Sequence, residues 1–181
     1  GSRARTIRVS DPGSYFVATV SAEGCTGYSD TVSIVVAPKP TPTITPLGGT
    51  TFCEGDSVVL QGDVGYASYE WSTGDTTRSI AATKGGRYSL RVTSIDGCEG
   101  VASPVDVVVY PLPNGAIVAR GPTQFLEGDS VRLDIVGTFG RCTWTTGDTI
   151  RSITVKTSGR YGAFITDTNG CIVDLGAVDI V

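Results

Sequence analysis

The chain has 181 residues, with 24 Gly, 9 Pro, 5 Cys, no His and no Met, and its 14 basic and 18 acidic side chains leave a net charge of -4. Weak acidity without a basic cluster argues against a nucleic-acid partner, because phosphate neutralisation needs concentrated Lys and Arg, and no apolar run is long enough for membrane insertion. The absence of His removes the commonest general base and the commonest zinc ligand, leaving a Val-, Thr-, Ser- and Gly-rich composition that reads as all-β.

In chain order, short β-type runs around Tyr15 precede Cys25 and the connector Ala37-Pro38-Lys39-Pro40-Thr41-Pro42, whose prolines predict an extended, polyproline-like spacer. Cys53 and Val58 with Leu60 follow, then Tyr69 and Trp71 on one face with Glu70 on the other. Ile80 and Ala82, then Tyr88, Leu90 and Val92, lead to the turn Asp96-Gly97, Cys98 and the run Val105, Val107 and Val109. A second connector, Tyr110-Pro111-Leu112-Pro113-Asn114, opens a stretch in which Val131 and Leu133 alternate with Arg132 and Asp134. There Cys142 and Trp144 point inward with Thr143 outward, followed by Ile153 and Val155, by Tyr161, Ala163 and Ile165, and by Asn169-Gly170 before Cys171. Period-two alternation marks half-buried strands, and the Asp-Gly and Asn-Gly pairs predict antiparallel hairpins. No segment of ten residues carries helical periodicity.

One offset relates these elements throughout. Cys25, Cys98 and Cys171 lie 73 apart (98 − 25 and 171 − 98), as do Tyr15, Tyr88 and Tyr161, while Trp71 maps onto Trp144 and Glu54-Gly55-Asp56-Ser57-Val58 onto Glu127-Gly128-Asp129-Ser130-Val131. The expected organisation is a tandem array: the C-terminal half of a unit at 1–37, a complete unit at 38–110 and another at 111–181. Gly1 aligns with Gly74 and Gly147, in mid-unit, and Val181 with Val108, so the chain is expected to be a piece of a longer array. About seven short strands per unit, a Trp on an early strand and a Tyr opening a late one predict an immunoglobulin-like β-sandwich, with Trp71, Trp144, Tyr15, Tyr88 and Tyr161 in the cores. So small a unit buries only about 60% of its unfolded surface, which makes cross-links valuable. Stiff linkers between such units predict a rod.

The cysteines point to an oxidising compartment. Leu126 stands where the third unit should have the counterpart of Cys53, while Cys142 is new there, so the preferred pairing is Cys53 with Cys98 and Cys142 with Cys171, with Cys25 unmated. The alternative joins Cys53 to Cys171 across the junction of two units, since the loops concerned lie at opposite ends of an immunoglobulin-like unit. No two Cys are spaced as C-x-x-C, so no metal site and no cofactor is expected.

Acidic turns such as Glu54-Gly55-Asp56 lack the calcium-loop pattern and read as turn chemistry. Asp106, Asp134 and Asp179 sit on separate strands and read as solubilising charges rather than a glycosidase pair. With neither His nor S-x-x-K to activate a nucleophile, no enzyme activity is expected and no catalytic residue is assigned. Tyr66 and Phe139, in the loop before each Trp strand, are weighed evenly as ligand contacts and as caps on the sandwich end.

The runs Phe52-Cys53-Glu54-Gly55-Asp56-Ser57-Val58, Tyr69-Glu70-Trp71-Ser72-Thr73-Gly74, Gly86-Arg87-Tyr88-Ser89-Leu90, Asp96-Gly97-Cys98 and Val107-Val108-Val109-Tyr110-Pro111 resemble PKD-like or bacterial immunoglobulin-like repeats of large surface and secreted proteins. Such arrays are frequent in gliding bacteria that use type IX secretion. The resemblance covers nearly the whole chain and implies an extracellular structural or adhesive spacer, on a stalk, adhesin or filament, with no catalytic residues. The other readings are a carbohydrate- or protein-binding module, or accessory domains of a secreted hydrolase. Residues 1–36 hold only the late strands of a sandwich, so neighbouring repeats or another copy are expected to complete that half-unit around Tyr15 and Val17.

Overall fold

Alternating side chains and glycine turns produce strands throughout, and the computed structural model, which describes residues 4–181, contains no helix among those residues. Gly1 lies outside the described residues. Between the two proline connectors, β5 (Ile44–Pro46), β7 (Val58–Gly62) and β9 (Ser79–Ala82) form an antiparallel sheet in the order β5-β7-β9. Facing it are β8 (Ser68–Trp71), β11 (Leu90–Thr93) and β12 (Glu99–Val101), continued by β10 (Gly86–Tyr88), β13 (Val105–Tyr110) and β6 (Thr51–Cys53). β10 and β11 are halves of one run broken at Ser89, and β6 joins β13 in parallel, an arrangement that an immunoglobulin-like sandwich reaches by letting its first strand cross from one sheet to the other.

Val58, Leu60, Ile80 and Ala82 from one layer meet Trp71, Tyr88, Leu90, Val92 and Val107 from the other in a single buried cluster. The indole N–H of Trp71 donates to the Thr77 carbonyl at 2.8 Å, so the largest buried ring leaves no polar atom unsatisfied.

After the second connector, β14 (Asn114–Ala119), β15 (Val131–Thr138) and β17 (Ser152–Val155) make one sheet, and β16 (Arg141–Trp144), β18 (Gly159–Thr166) and β19 (Ile172–Ile180) the other. Val131, Leu133, Ile135, Cys142, Trp144, Ile153, Val155, Ala163 and Ile165 share a second cluster, separate from the first. Trp144 donates to the Ile150 carbonyl at 2.8 Å, the same bond 73 residues on. The amide of Val181 donates to the Thr123 carbonyl, as Val108 does to Thr50, so the strand crossing recurs. Gly97 and Gly170, at φ 78° and 89°, occupy the left-handed region that their tight turns require.

Ahead of the first connector stand two hairpin ladders: β1 (Gly13–Tyr15) with β4 (Val32–Ile34), and β2 (Ala18–Val20) with β3 (Thr26–Tyr28). Tyr15, Tyr88 and Tyr161 each donate their hydroxyl to a carbonyl four residues upstream, at Asp11, Lys84 and Thr157, over 2.8 to 3.0 Å. Such a tyrosine corner ties the start of a late strand to the preceding loop. Tyr88 is buried and Tyr161 packs against the second cluster, but Tyr15 is only half-buried and belongs to neither. Its expected core place is corrected accordingly: no sheet among the described residues lies over it.

Candidate functional site

The place where the chain gains something beyond two sandwiches is the joint between them. Tyr110 ends β13 and Asn114 begins β14, so Pro111, Leu112 and Pro113 alone connect the two. The parallel register of β6 on β13 sets Cys53 opposite Tyr110, at that joint. From the other side comes the turn that leads into β19, where the carboxylate of Asp167 accepts the amides of Asn169 and Cys171 at 2.8 Å each. Burial pushes Asp167 up, yet the amides of Cys171, Asn169 and Gly170 and the Asn169 side chain outweigh it and hold its pKa below the usual value. The turn therefore presents Cys171 in a fixed direction, and Cys171 is bonded to Cys53 with a Cα separation of 5.6 Å, within ordinary disulfide reach.

The preferred sequence pairing is thus corrected. Cys98 lies in the turn before β12, next to the first connector: Gly100 packs so tightly on Pro40 that a side chain there would collide with the proline backbone. Cys53 lies at the other end of the same sandwich, beyond reach of Cys98. Cys142 points inward beside Trp144 in the second core, donates its thiol to the Thr149 carbonyl, and is pushed up in pKa by burial, with Arg151 opposing. Cys25, Cys98 and Cys142 are thiols, exposed, half-buried and buried respectively.

The two loop aromatics differ from each other. Tyr66 is half-buried against the first core, edge-on to Tyr69 with centroids 6.2 Å apart. Phe139 packs on the second core and carries the Arg151 guanidinium 4.2 Å above its ring, at a groove of about 510 Å³ that Arg141, Cys142, Thr143, Thr149 and Thr166 also line.

Among the acids, Asp106 and Asp179 are exposed. Asp134 is more than a solubilising charge: Arg120 reaches it at 2.7 Å and Arg132 at 2.6 Å, Arg132 also bonding Ser152. The hydrogen bonds from Arg120, Ser152 and Arg132 hold the Asp134 carboxyl well below the carboxylate range. Sequence reading missed this network because it depends on which residues of β14, β15 and β17 stand side by side, and register is a tertiary property. Among the described residues no three His, Cys, Asp or Glu side chains gather as a metal-binding group, and no helix is long and apolar enough to cross a membrane.

No family model matches the chain, and no curated protein matches it in sequence. Among solved structures it is similar to murine CEACAM1b, at 14% identity over 77% of this chain and 98% of that one, with a TM-score of 0.36. It is also similar to the fibronectin(III)-like modules of Clostridium thermocellum CbhA, at 15% identity over 77% and 92% of the two chains and a TM-score of 0.35. A third, the amphioxus IgVJ-C2 molecule, is 16% identical over 72% and 99%, with a TM-score of 0.34. The strand order and the strand crossing onto the second sheet, read from the chain itself, identify its fold as immunoglobulin-like.

Proposed function

We propose that the chain is a stretch of tandem immunoglobulin-like repeats of period 73, divided at 1–37, 38–110 and 111–181, that acts as a structural and adhesive spacer in an extracellular or cell-surface protein. The observation that carries this reading is the Cys53–Cys171 bond, which bridges residues 118 apart and joins β6 of the first sandwich to the turn before β19 of the second. A bond placed there, with Cys171 fully buried, restrains the joint between the two sandwiches. Two attachments at one joint, the three-residue Pro-Leu-Pro connection and the disulfide, resist bending where a single flexible linker would not. A disulfide in so small a β-array also belongs to an oxidising setting. The PKD-like character, a type IX secretion route and a place in a filament follow from the sequence resemblance.

Small-angle scattering of the oxidised chain tests this. A compact fold of this length has a radius of gyration of about 16 Å, so a spacer must measure well above that, and adding reductant must broaden its distribution of shapes. A compact value in both states sinks the proposal.

A second reading, binding of an acidic protein segment or acidic sugar, is favoured by the groove at Phe139, where Arg141 and Arg151 have no carboxylate partner within salt-bridge distance among the described residues. A glycan and peptide array comparing the chain with its Arg151→Ala variant tests it, and equal signals from both would end it.

A further inference from the structure

The strand layers that carry the two tryptophans differ on their outer faces, at residues that hold equivalent places. In the first sandwich Arg91 of β11 lies between Glu70 of β8 and Glu99 of β12, at 3.8 and 3.3 Å, so ion pairs cover that face. At the same three places the second sandwich has Phe164, Thr143 and Ile172. Its ladders set Phe164 opposite Thr143 and Asp174, and Thr166 opposite Arg141 and Ile172, which makes Phe164 and Ile172 diagonal neighbours. Ala163 and Ile165 point into the core, and alternation along β18 turns Phe164 the other way. Phe164 is 42% exposed and Ile172 61%. Arg141, standing where the first sandwich has Ser68, and Thr166 also line the groove at Phe139, so the apolar pair and the guanidiniums of Arg141 and Arg151 make one continuous surface.

We infer that this surface docks a polypeptide segment of another protein in which apolar and acidic side chains alternate. The apolar side chains cover Phe164 and Ile172, and the carboxylates meet Arg141 and Arg151. The inference rests on the reading of the Phe139 groove as a site for an acidic ligand, and it names that ligand. Charge complementarity sets the acidic half, since two guanidiniums without a carboxylate partner favour one from outside. The apolar half selects polypeptide over sugar. The Phe139 ring packs on the core and already carries Arg151 at 4.2 Å, which leaves no open ring in the groove for a sugar to stack on. Phe164 beside the branched Ile172 is instead a patch that an aliphatic side chain fills. Across the sheet, Asp174, whose carboxylate accepts the Gly176 amide at 2.8 Å, repels a second acid and so directs the carboxylates of the segment to the β16 side. A second copy of this chain fits less well, because Arg91 already neutralises Glu70 and Glu99 on its equivalent face.

The experiment titrates the oxidised full chain, isotope-labelled for amide NMR, with an end-blocked peptide of alternating Leu and Asp. A peptide of alternating Ser and Asp and an oligogalacturonate serve as comparisons of like charge. The expected result is one-to-one binding of the Leu-Asp peptide, with shifts confined to residues 139–143, 149–151, 164–166 and 172–174. The Ser-Asp peptide and the uronate bind at least about tenfold more weakly, and the double variant Phe164→Ser with Ile172→Ser loses that preference. Arg151→Ala weakens all three ligands by about tenfold. Both variants change exposed side chains, so the fold is retained. Equal affinity for the two peptides, or a double variant that keeps the preference, overturns the inference; if Arg151→Ala still weakens binding, the groove reading survives that result. A chain that binds none of the acidic ligands sinks both. Self-association of the chain through Phe164 and Ile172 also overturns the inference, because it makes a second copy the occupant.

Discussion

Breaking the Cys53–Cys171 bond has a consequence large enough to be read on single molecules. The bond spans 118 residues, so when the oxidised chain is pulled from its two ends the tension passes through the disulfide and residues 54–170 are bypassed. At about 3.5 Å per extended residue, that segment hides roughly 400 Å of contour length. Force spectroscopy of the oxidised chain is therefore expected to show extension only from the residues before 53 and after 171. The core strands β7 to β18 stay closed in such a pull. With a thiol reductant, or in the Cys53→Ser variant, about 400 Å is added, in steps as the two separate cores open. In solution the same variant loses up to about 5 kcal/mol, the chain-entropy value for a closed loop of this length, and less if the two cores unfold independently. An oxidised chain that releases the full length, or a reduced one that releases no more than the oxidised, refutes the connectivity and with it the role of the joint.

Trp71→Ala and Trp144→Ala should each cost about 3 to 5 kcal/mol, confined to residues 44–110 and 114–181 respectively when hydrogen exchange is mapped; a variant that loosens both halves equally argues against separate cores. A thiol reagent added to the folded chain should label Cys25 fast, Cys98 more slowly and Cys142 only on unfolding, since burial raises the Cys142 thiol pKa and withholds the thiolate; rapid labelling of all three contradicts the described positions. Because the Asp134 pKa is lowered in the folded state, its stabilising effect is fully present above the ordinary carboxylate value near 3.8 and is lost only as pH falls towards the lowered folded value. Asp134→Asn should therefore reduce stability at pH 7 and flatten the acid limb below about pH 4, measured by denaturant titration at several pH values. Gly100→Ala, which sets a methyl group against the Pro40 backbone, should cost about 1 to 3 kcal/mol and increase exchange in residues 38–46; an unchanged first connector would show that it is not docked there.

Much of this architecture is a local matter. A strand's side chains alternate between faces by geometry, so Val131, Leu133 and Ile135 turn inward while Arg132 turns outward whatever lies across the sheet. Gly97 and Gly170 mark turns because a tight reversal needs a positive φ, which is written in the residue type. Neither Tyr66 nor Phe139 could be placed that way, since an aromatic ring in a loop packs on whatever neighbour folding provides, here Tyr69 for one and Arg151 for the other. The same holds for the Asp134 network, which requires β14, β15 and β17 to meet in one register.

The cysteines divide most sharply between the two levels of information. From residue order alone came an oxidisable β-array with one unmatched position at Leu126, and two pairings consistent with it. Which pairing forms depends on which ends of the sandwiches meet: the parallel strand crossing carries Cys53 to the end where β13 finishes, and the turn at Asp167 delivers Cys171 to the same joint. A disulfide forms only between Cα atoms within about 7 Å, and no spacing along the chain encodes that distance.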